Sequence, residues 1–434
     1  MFHYTLPLTI INSNCAMTIP RGRVCKIKSV QYGILGYVLW CLTCYTICML
    51  ILLLFLIWRV FDFSVAYIAP RFIPYLGFFP YGEIFKEYGL PAFVSSFANF
   101  DGAQYLTLVR EGYNTYTQAY FPLYFLSVRA LALLFPTPGA IRAHNDVLAA
   151  ILVSNVFFFL GLLLFKKYVS QLRGRAVETM LFLLLFPSSF FFGAVYTEGL
   201  FFFLCVGSLY FLKKKNYWLA GLFATLSSAT RLMGVFLFIP FLFHFHNLKL
   251  RVSNLAVLSP LIGFGAYCLY LWKTVGDPLF FFRVQPMFGA NRSTGLIFLP
   301  QVYFRYFKIF FTAQWNFQYF ISLVELFVFS FVFVILIMDL TNNISTKGRL
   351  TSGQKSKIKN YERIALNIFS FINLLLPTLT GTFSSIPRYA LFSLSMFLFL
   401  SEIQKTLIKH LIKVFFFVLH VVLLGFFIQG YFVG

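Results

Sequence analysis

From Ile34 to Val60 almost every residue is apolar, and only Arg59 carries a charge. A helix rises about 1.5 Å per residue, so a run of this length crosses the roughly 30 Å of hydrocarbon in a bilayer. It is longer than a signal-peptide core and lacks a small-residue cleavage site, so it is expected to be retained as a transmembrane helix. Comparable runs recur at Asp146 to Phe165, Val252 to Thr274, Tyr319 to Met338, Ile364 to Leu379, Tyr389 to Leu407 and Leu411 to Phe432. With 60% hydrophobic and only 11% charged residues, this apolar surface does not fit inside one soluble core. The chain therefore reads as an all-α polytopic membrane protein.

The formal net charge of +22 invites a nucleic-acid reading. Its Lys and Arg residues, however, fall in short clusters between apolar runs, where they act as topology signals and meet anionic headgroups. Nucleic acid is excluded as a partner on that ground, because no soluble basic patch exists to carry it. Cys41, Cys44 and Cys48 lie at helical spacing within the first run and, with no His or carboxylate beside them, read as packing residues rather than a metal site.

Charge bias sets an expected topology. Residues 1–33 hold Arg21, Arg23, Lys26 and Lys28 without an acid and are expected to stay cytoplasmic, and residues 34–434 are expected to form one transmembrane domain. Residues 61–120 become an outer loop whose Pro70, Pro74, Pro80 and Pro91 favour short interfacial helices. Phe121 to Phe135 is barely long enough to cross, and the Lys166, Lys167, Arg173 and Arg175 cluster requires that it make no net crossing. Residues 339–363, with Lys347, Arg349, Lys355, Lys357, Lys359 and Arg363, read as a cytoplasmic basic loop.

Two apolar stretches are interrupted. Ala176 to Leu212 contains Pro187, Ser188 and Ser189 and then Glu198, which predicts two helices joined by an outward turn. Tyr217 to Phe245 carries Arg231 at its middle, which in lipid costs several kcal/mol unless the backbone breaks or a wet cavity opens, so two half-helices are expected there. On this topology Asp101, Glu198, Arg231, Asp277 and Arg388 all reach the same face.

The stretch from Ala98 to Tyr124 stands out among these. Asp101, one of only 13 acidic residues, follows the first span and sits among aromatics. An acid with convergent arginines suits group transfer from a phosphate: the carboxylate takes the proton of an attacking hydroxyl, and guanidinium groups neutralise the departing phosphate. Asp101 is thus the candidate general base, with a helix N-cap as its structural alternative. Arg231 and Arg388 are candidate phosphate ligands, Glu198 a further polar contact, and Tyr105, Tyr113, Phe121 and Tyr124, beside Phe100 and Tyr120, candidate platforms for sugar rings. Asp277, followed by Pro278, reads better as a turn residue.

FDGAQYLTLVREGYNTYTQAYFPLYF resembles the WDGxxYLxIAxxGY…AFFPLYP signature of the PIG-V-like mannosyltransferases, the family of GPI mannosyltransferase II and its bacterial relatives within the GT-C superfamily. The likeness continues, in the family's order, through ATRLMGVFL, GDPLFFFRVQ and GTFSSIPRYALFSLSMF, and covers roughly residues 90–400. It implies a GT-C-like bundle of about 10–12 transmembrane or half-membrane helices with an interfacial first loop. It also implies transfer of mannose or a related hexose, with inversion, from a dolichyl- or polyprenyl-phosphate donor to a glycan or glycolipid acceptor. The family's acid falls on Asp101, and Gln285 and Tyr389 lie within matched motifs as candidate substrate contacts. The lipid-phosphate sugar is a co-substrate; no other cofactor is implied, and a divalent metal is left open. Phe100 stands where the family has Trp, Gln104 where His or Trp is common, and YFPLYF replaces FFPLYP, so acceptor and sugar stay open. The FDG form favours a prokaryotic plasma membrane, with the endoplasmic reticulum as the eukaryotic equivalent. The competing class is a transporter or flippase for a lipid-linked glycan; against it, no internal repeat and no acid suited to ion coupling inside a span was expected.

Overall fold

Apolar runs long enough to cross a bilayer satisfy their backbone groups internally only as helices, and among the described residues there is no strand. The computed structural model describes residues 48–76, 86, 89–114, 116–134, 140–172, 174–245, 252–288, 295–345 and 354–434, without the side chains of 140–142, 252–254, 288, 345 and 354–360. Among the described residues, six helices are long and apolar enough to cross a membrane: Cys48–Arg71, Ala143–Gln171, Leu255–Val275, Phe317–Ile344, Tyr361–Thr380 and Thr406–Ile428. The chain is an all-α polytopic membrane protein. Residues 51–434 make one compact unit. Segment 1–33, most of the first apolar run with Cys41 and Cys44, and Arg173, Asn291, Arg292, Lys347 and Arg349 lie outside the described residues.

In chain order the main helices are α1 (Cys48–Arg71), α2 (Asp101–Glu111), α3 (Pro122–Ala132), α4 (Ala140–Gln171), α5 (Ala176–Leu185), α6 (Glu198–Lys213), α7 (Tyr217–Thr230) and α8 (Phe238–Phe245). They continue as α9 (Ser259–Val275), α10 (Leu299–Thr312), α11 (Phe317–Ser345), α12 (Gln354–Leu375), α13 (Ile386–Tyr389), α14 (Leu394–Glu402) and α15 (Thr406–Ile428). Helix α3, at 11 residues, is too short to cross.

Both interrupted stretches break where the polar residues fall. After α7 the backbone of Arg231 is extended, with φ −153° and ψ 146°, and a 3-10 turn at Leu232–Leu237 leads into α8. Between α5 and α6 the chain leaves the helix over residues 186–197. Its freed carbonyls are answered by side chains: Arg59 Nη2 and Asn155 Nδ2 both donate to Gly193 O, at 2.9 and 3.0 Å, and Ser189 Oγ donates to Leu184 O at 2.6 Å. Irregular backbone at this depth is tolerated because buried protein groups replace water as its partners.

Two expected boundaries move, for one reason. Residues 61–71 belong to α1 rather than to an outer loop, and Arg59 and Asp62 sit one turn apart as a buried pair at 3.6 Å. Their charges offset each other and so do not end the helix. Likewise most of residues 339–363 is helical: α11 runs to Ser345 and α12 starts at Gln354. Asp339 is buried against Arg363 at 2.8 Å, with Asn367 Nδ2 donating to it at 2.9 Å and Ser395 Oγ as a further donor. The network ties α11, α12 and α14 together.

Removing Asp339 leaves the buried Arg363 with only the half-exposed Glu402, 3.2 Å away, as its anionic partner. Asp339→Ala should destabilise the solubilised protein by about 3–5 kcal/mol. Arg283→Ala, which breaks the exposed Arg283–Asp277 pair, should cost under about 1 kcal/mol. Thermal unfolding in detergent checks the contrast; equal shifts would contradict it.

Candidate active site

Asp-Gly at 101–102 is explained by what the first turn of α2 touches. Val195 N donates to Phe97 O at 3.0 Å, Tyr196 Oη to Asn99 O at 2.8 Å, and Asn99 Nδ2 to Phe427 O at 2.8 Å. These bonds clamp residues 97–99 between the α5/α6 break and the end of α15. The backbone then turns at Phe100, whose φ of 57° is unusual for a residue with a side chain, and enters α2. A Cβ at position 102 would lie 3.3 Å from Val195 O, so only glycine fits there without displacement.

The N-cap is therefore Phe100, and Asp101 is the first residue inside the helix. Its carboxylate points away from a capping role. Oδ1 accepts from Tyr120 Oη at 3.0 Å, and Oδ2 accepts from Arg388 Nη1 at 2.6 Å. Burial and the neighbouring carboxylate push the Tyr120 phenol well above its ordinary pKa of 10. It therefore remains a donor to Asp101 across physiological pH.

Arg388 does not act alone. Its Nε lies 3.2 Å from Glu198 Oε1, and Glu198 also receives Arg231 Nη1 in a close ion pair. Glu198 opens α6 and is only 1% exposed, so it is no surface turn acid. Arg231 is presented by the break between α7 and α8, and Arg388 by the short helix α13. Signs alternate along Asp101, Arg388, Glu198 and Arg231, and the four formal charges cancel. Aromatic rings flank both cations: Tyr389 lies 5.1 Å from the Arg231 guanidinium, and Tyr196 lies 5.3 Å from that of Arg388.

All four residues line a cavity of about 1170 Å³. This exceeds the roughly 300–1,000 Å³ of ordinary small-molecule sites and has room for two substrates at once. Tyr105, Phe121, Gln285 and Tyr389 also line it. Tyr113 and Tyr124 do not: Tyr124 is fully buried with its hydroxyl 2.8 Å from Ser154 Oγ, and Tyr113 Oη donates to Tyr120 O at 2.8 Å. Tyr113 thereby holds the segment that presents Tyr120, and Tyr124 packs behind Tyr105. Asp277 pairs with Arg283 and accepts from Leu279 N at 3.0 Å, a turn arrangement apart from the cavity, so four of the five residues expected on one face converge.

A second polar wall of the cavity, not among the sequence-based candidates, lies on α10 and α11. Glu325, in α11 and 5% exposed, accepts from Tyr306 Oη at 2.5 Å, and Arg305, Tyr306 and Lys308 of α10 line the cavity beside it. Acids occur within spanning helices, among them Glu325 and Asp339 in α11 and Asp62 in α1. The signal was an ionisable residue inside an apolar run. Asp62 serves a separate buried network in which His420 Nε2 lies 2.9 Å from Asp62 Oδ1 and His420 Nδ1 lies 3.1 Å from Ser189 Oγ.

In chemical terms, the cavity presents an oriented carboxylate with a phenol and a guanidinium on its two oxygens, beside further cations. No protein-family model, curated protein or solved structure matches the chain.

The alternating charges should behave as one unit. Arg231→Gln and Glu198→Gln should each lower the melting temperature in detergent, and the double variant should recover part of the loss, with a coupling of about 0.5–3 kcal/mol. Strict additivity would mean that the pair does not interact.

Proposed function

We propose that this chain is a membrane glycosyltransferase. It moves a hexose, mannose on the sequence resemblance to the PIG-V-like family, from a polyprenyl- or dolichyl-phosphate donor to a hydroxyl of a glycan or glycolipid, with inversion. The observation that carries the reading is Asp101, oriented by Tyr120 and Arg388 on the wall of a large cavity within a membrane-embedded bundle. In the reaction the acceptor hydroxyl gives its proton to Asp101 as its oxygen bonds to the anomeric carbon. The bond from that carbon to the phosphate oxygen breaks, and the lipid phosphate departs with the electron pair. Once Asp101 is protonated, Arg388 Nη1 loses that anionic partner while its Nε keeps Glu198, and the released N–H is then available to the negative charge gathering on the phosphate. Tyr105, Phe121 and Tyr389 supply aromatic surface for the sugars, and Gln285 an amide.

A second reading, movement of a lipid-linked glycan without bond cleavage, is favoured by one observation: Glu325, a buried acid inside a spanning helix, lines the same cavity.

One experiment separates them. With the protein reconstituted in vesicles, polyprenyl-phosphate-mannose and a glycan acceptor should yield mannosylated product. Asp101→Asn should lower the rate by about 10²–10⁴-fold, the contribution of a positioned general base. Full activity in that variant would refute the base assignment, and transbilayer movement of labelled donor with no product would favour the transporter.

A further inference from the structure

Arg231 and Arg388 are each engaged by a carboxylate, so a phosphate binding to them in the resting state would have to displace Asp101 or Glu198. That would take from the part-buried Asp101 its cationic partner, or from the buried Glu198 one of its two. The cavity wall holds two other cations with no such obligation. Among the described residues, Arg305 and Lys308 form no ion pair, and both line the cavity.

Both lie on α10, three residues apart and hence neighbours on its surface. Arg305 is held: its Nη1 donates to Gly381 O at 3.0 Å. Gly381 has φ +92°, and a Cβ there would press within 2.5 Å of the same Nη1, so glycine is what lets the guanidinium lie against this turn. One edge of the fork is thereby fixed, and its other N–H groups stay available for a planar, bidentate anion contact.

The rest of α10 says which kind of anion. On the adjoining side of the helix Phe304 and Phe311 are 63% and 87% exposed, and Phe298 before it and Trp315 after it are also largely exposed. An exposed aromatic face bordered by cations is the pattern of a helix lying in a membrane interface. At about 100° per residue, Lys308 falls between the cavity side, with Arg305 and Thr312, and the lipid side, with Phe304 and Phe311. An anion at Arg305 and Lys308 thus sits where the cavity meets lipid.

We propose that Arg305 and Lys308 seat the phosphate of a lipid-linked monophosphate, with its hydrocarbon tail leaving over the aromatic face of α10, while Arg231 and Arg388 serve the acid–base end of the cavity. The donor identity rests on the glycosyltransferase reading; the lipid-phosphate seat itself does not require transfer. A soluble phosphate would use the cations and leave the aromatic face idle. A bulk anionic lipid would use both faces without needing the bidentate seat.

The test measures binding of sugar-free polyprenyl monophosphate to the full-length protein in phosphatidylcholine nanodiscs by native mass spectrometry. Wild type and Arg283→Gln, which alters a cation that does not line the cavity, should bind alike. Arg305→Gln with Lys308→Gln should weaken binding at least about tenfold, the effect of losing charge-assisted hydrogen bonds, and the exposed Lys308→Gln alone by several-fold. Neither excess phosphatidylglycerol nor inorganic phosphate should compete. Unchanged binding in both variants, or equal competition by either anion, overturns the proposal. In the transfer assay the double variant should raise the donor KM more than it lowers kcat. Arg305- and Lys308-dependent binding without transfer would refute the transferase and keep the seat, whereas Asp101-dependent transfer with an unchanged donor KM would refute the seat and keep the transferase.

Discussion

A charge inside a lipid-embedded bundle must meet an opposite charge or water, and the arrangement around Asp101, Arg388, Glu198 and Arg231 follows from that requirement. The ion pair between Asp101 and Arg388 joins positions 287 residues apart. Each of the four side chains sits at a helix start or at a break, where the backbone itself has polar groups to satisfy. The interruptions after α5 and α7 and the short helix α13 thus create the cavity as well as its charged lining. Continuous spanning helices at these points would have carried the same residues into hydrocarbon.

The same constraint acts away from the cavity. Arg59, Asp62, His420 and Ser189 connect α1, the α5/α6 break and α15, and Asp339, Arg363, Asn367 and Ser395 connect α11, α12 and α14. These networks join helices that loops alone would leave free to slide. They also explain where boundaries drawn from charge were misplaced. A charged residue with a buried partner does not mark the end of a span, and Asp62 and Asp339 both lie inside helices for that reason.

Aromatic residues divide by position rather than by type. Tyr105 and Tyr120 meet edge to face with centroids 4.9 Å apart and face the cavity, while Tyr124, packed against Tyr105 at 5.0 Å, lies behind them in the core. Phe158 stacks on Phe192 at 4.3 Å and holds the α5/α6 break against α4. With aromatics at 21% of the chain, no composition argument separates the ring that meets a ligand from the ring that supports it. In the segment from Tyr113 to Tyr124 only the tertiary neighbours do.

The sequence alone determined the all-α membrane class, the break at Arg231, the paired helices around Pro187 and the prominence of Asp101. These depend on local physics: the length of apolar runs, the cost of a guanidinium in lipid, and the scarcity of acids. Tertiary structure alone decided that Arg388 answers Asp101 and that Glu198 bridges two arginines. It likewise revealed Tyr120 as the phenol on the carboxylate, and brought Glu325, Arg305 and Lys308 to the same cavity. Pairing across hundreds of residues leaves no periodicity in the sequence, because which charges neutralise each other depends on how the helices pack and not on where they lie along the chain.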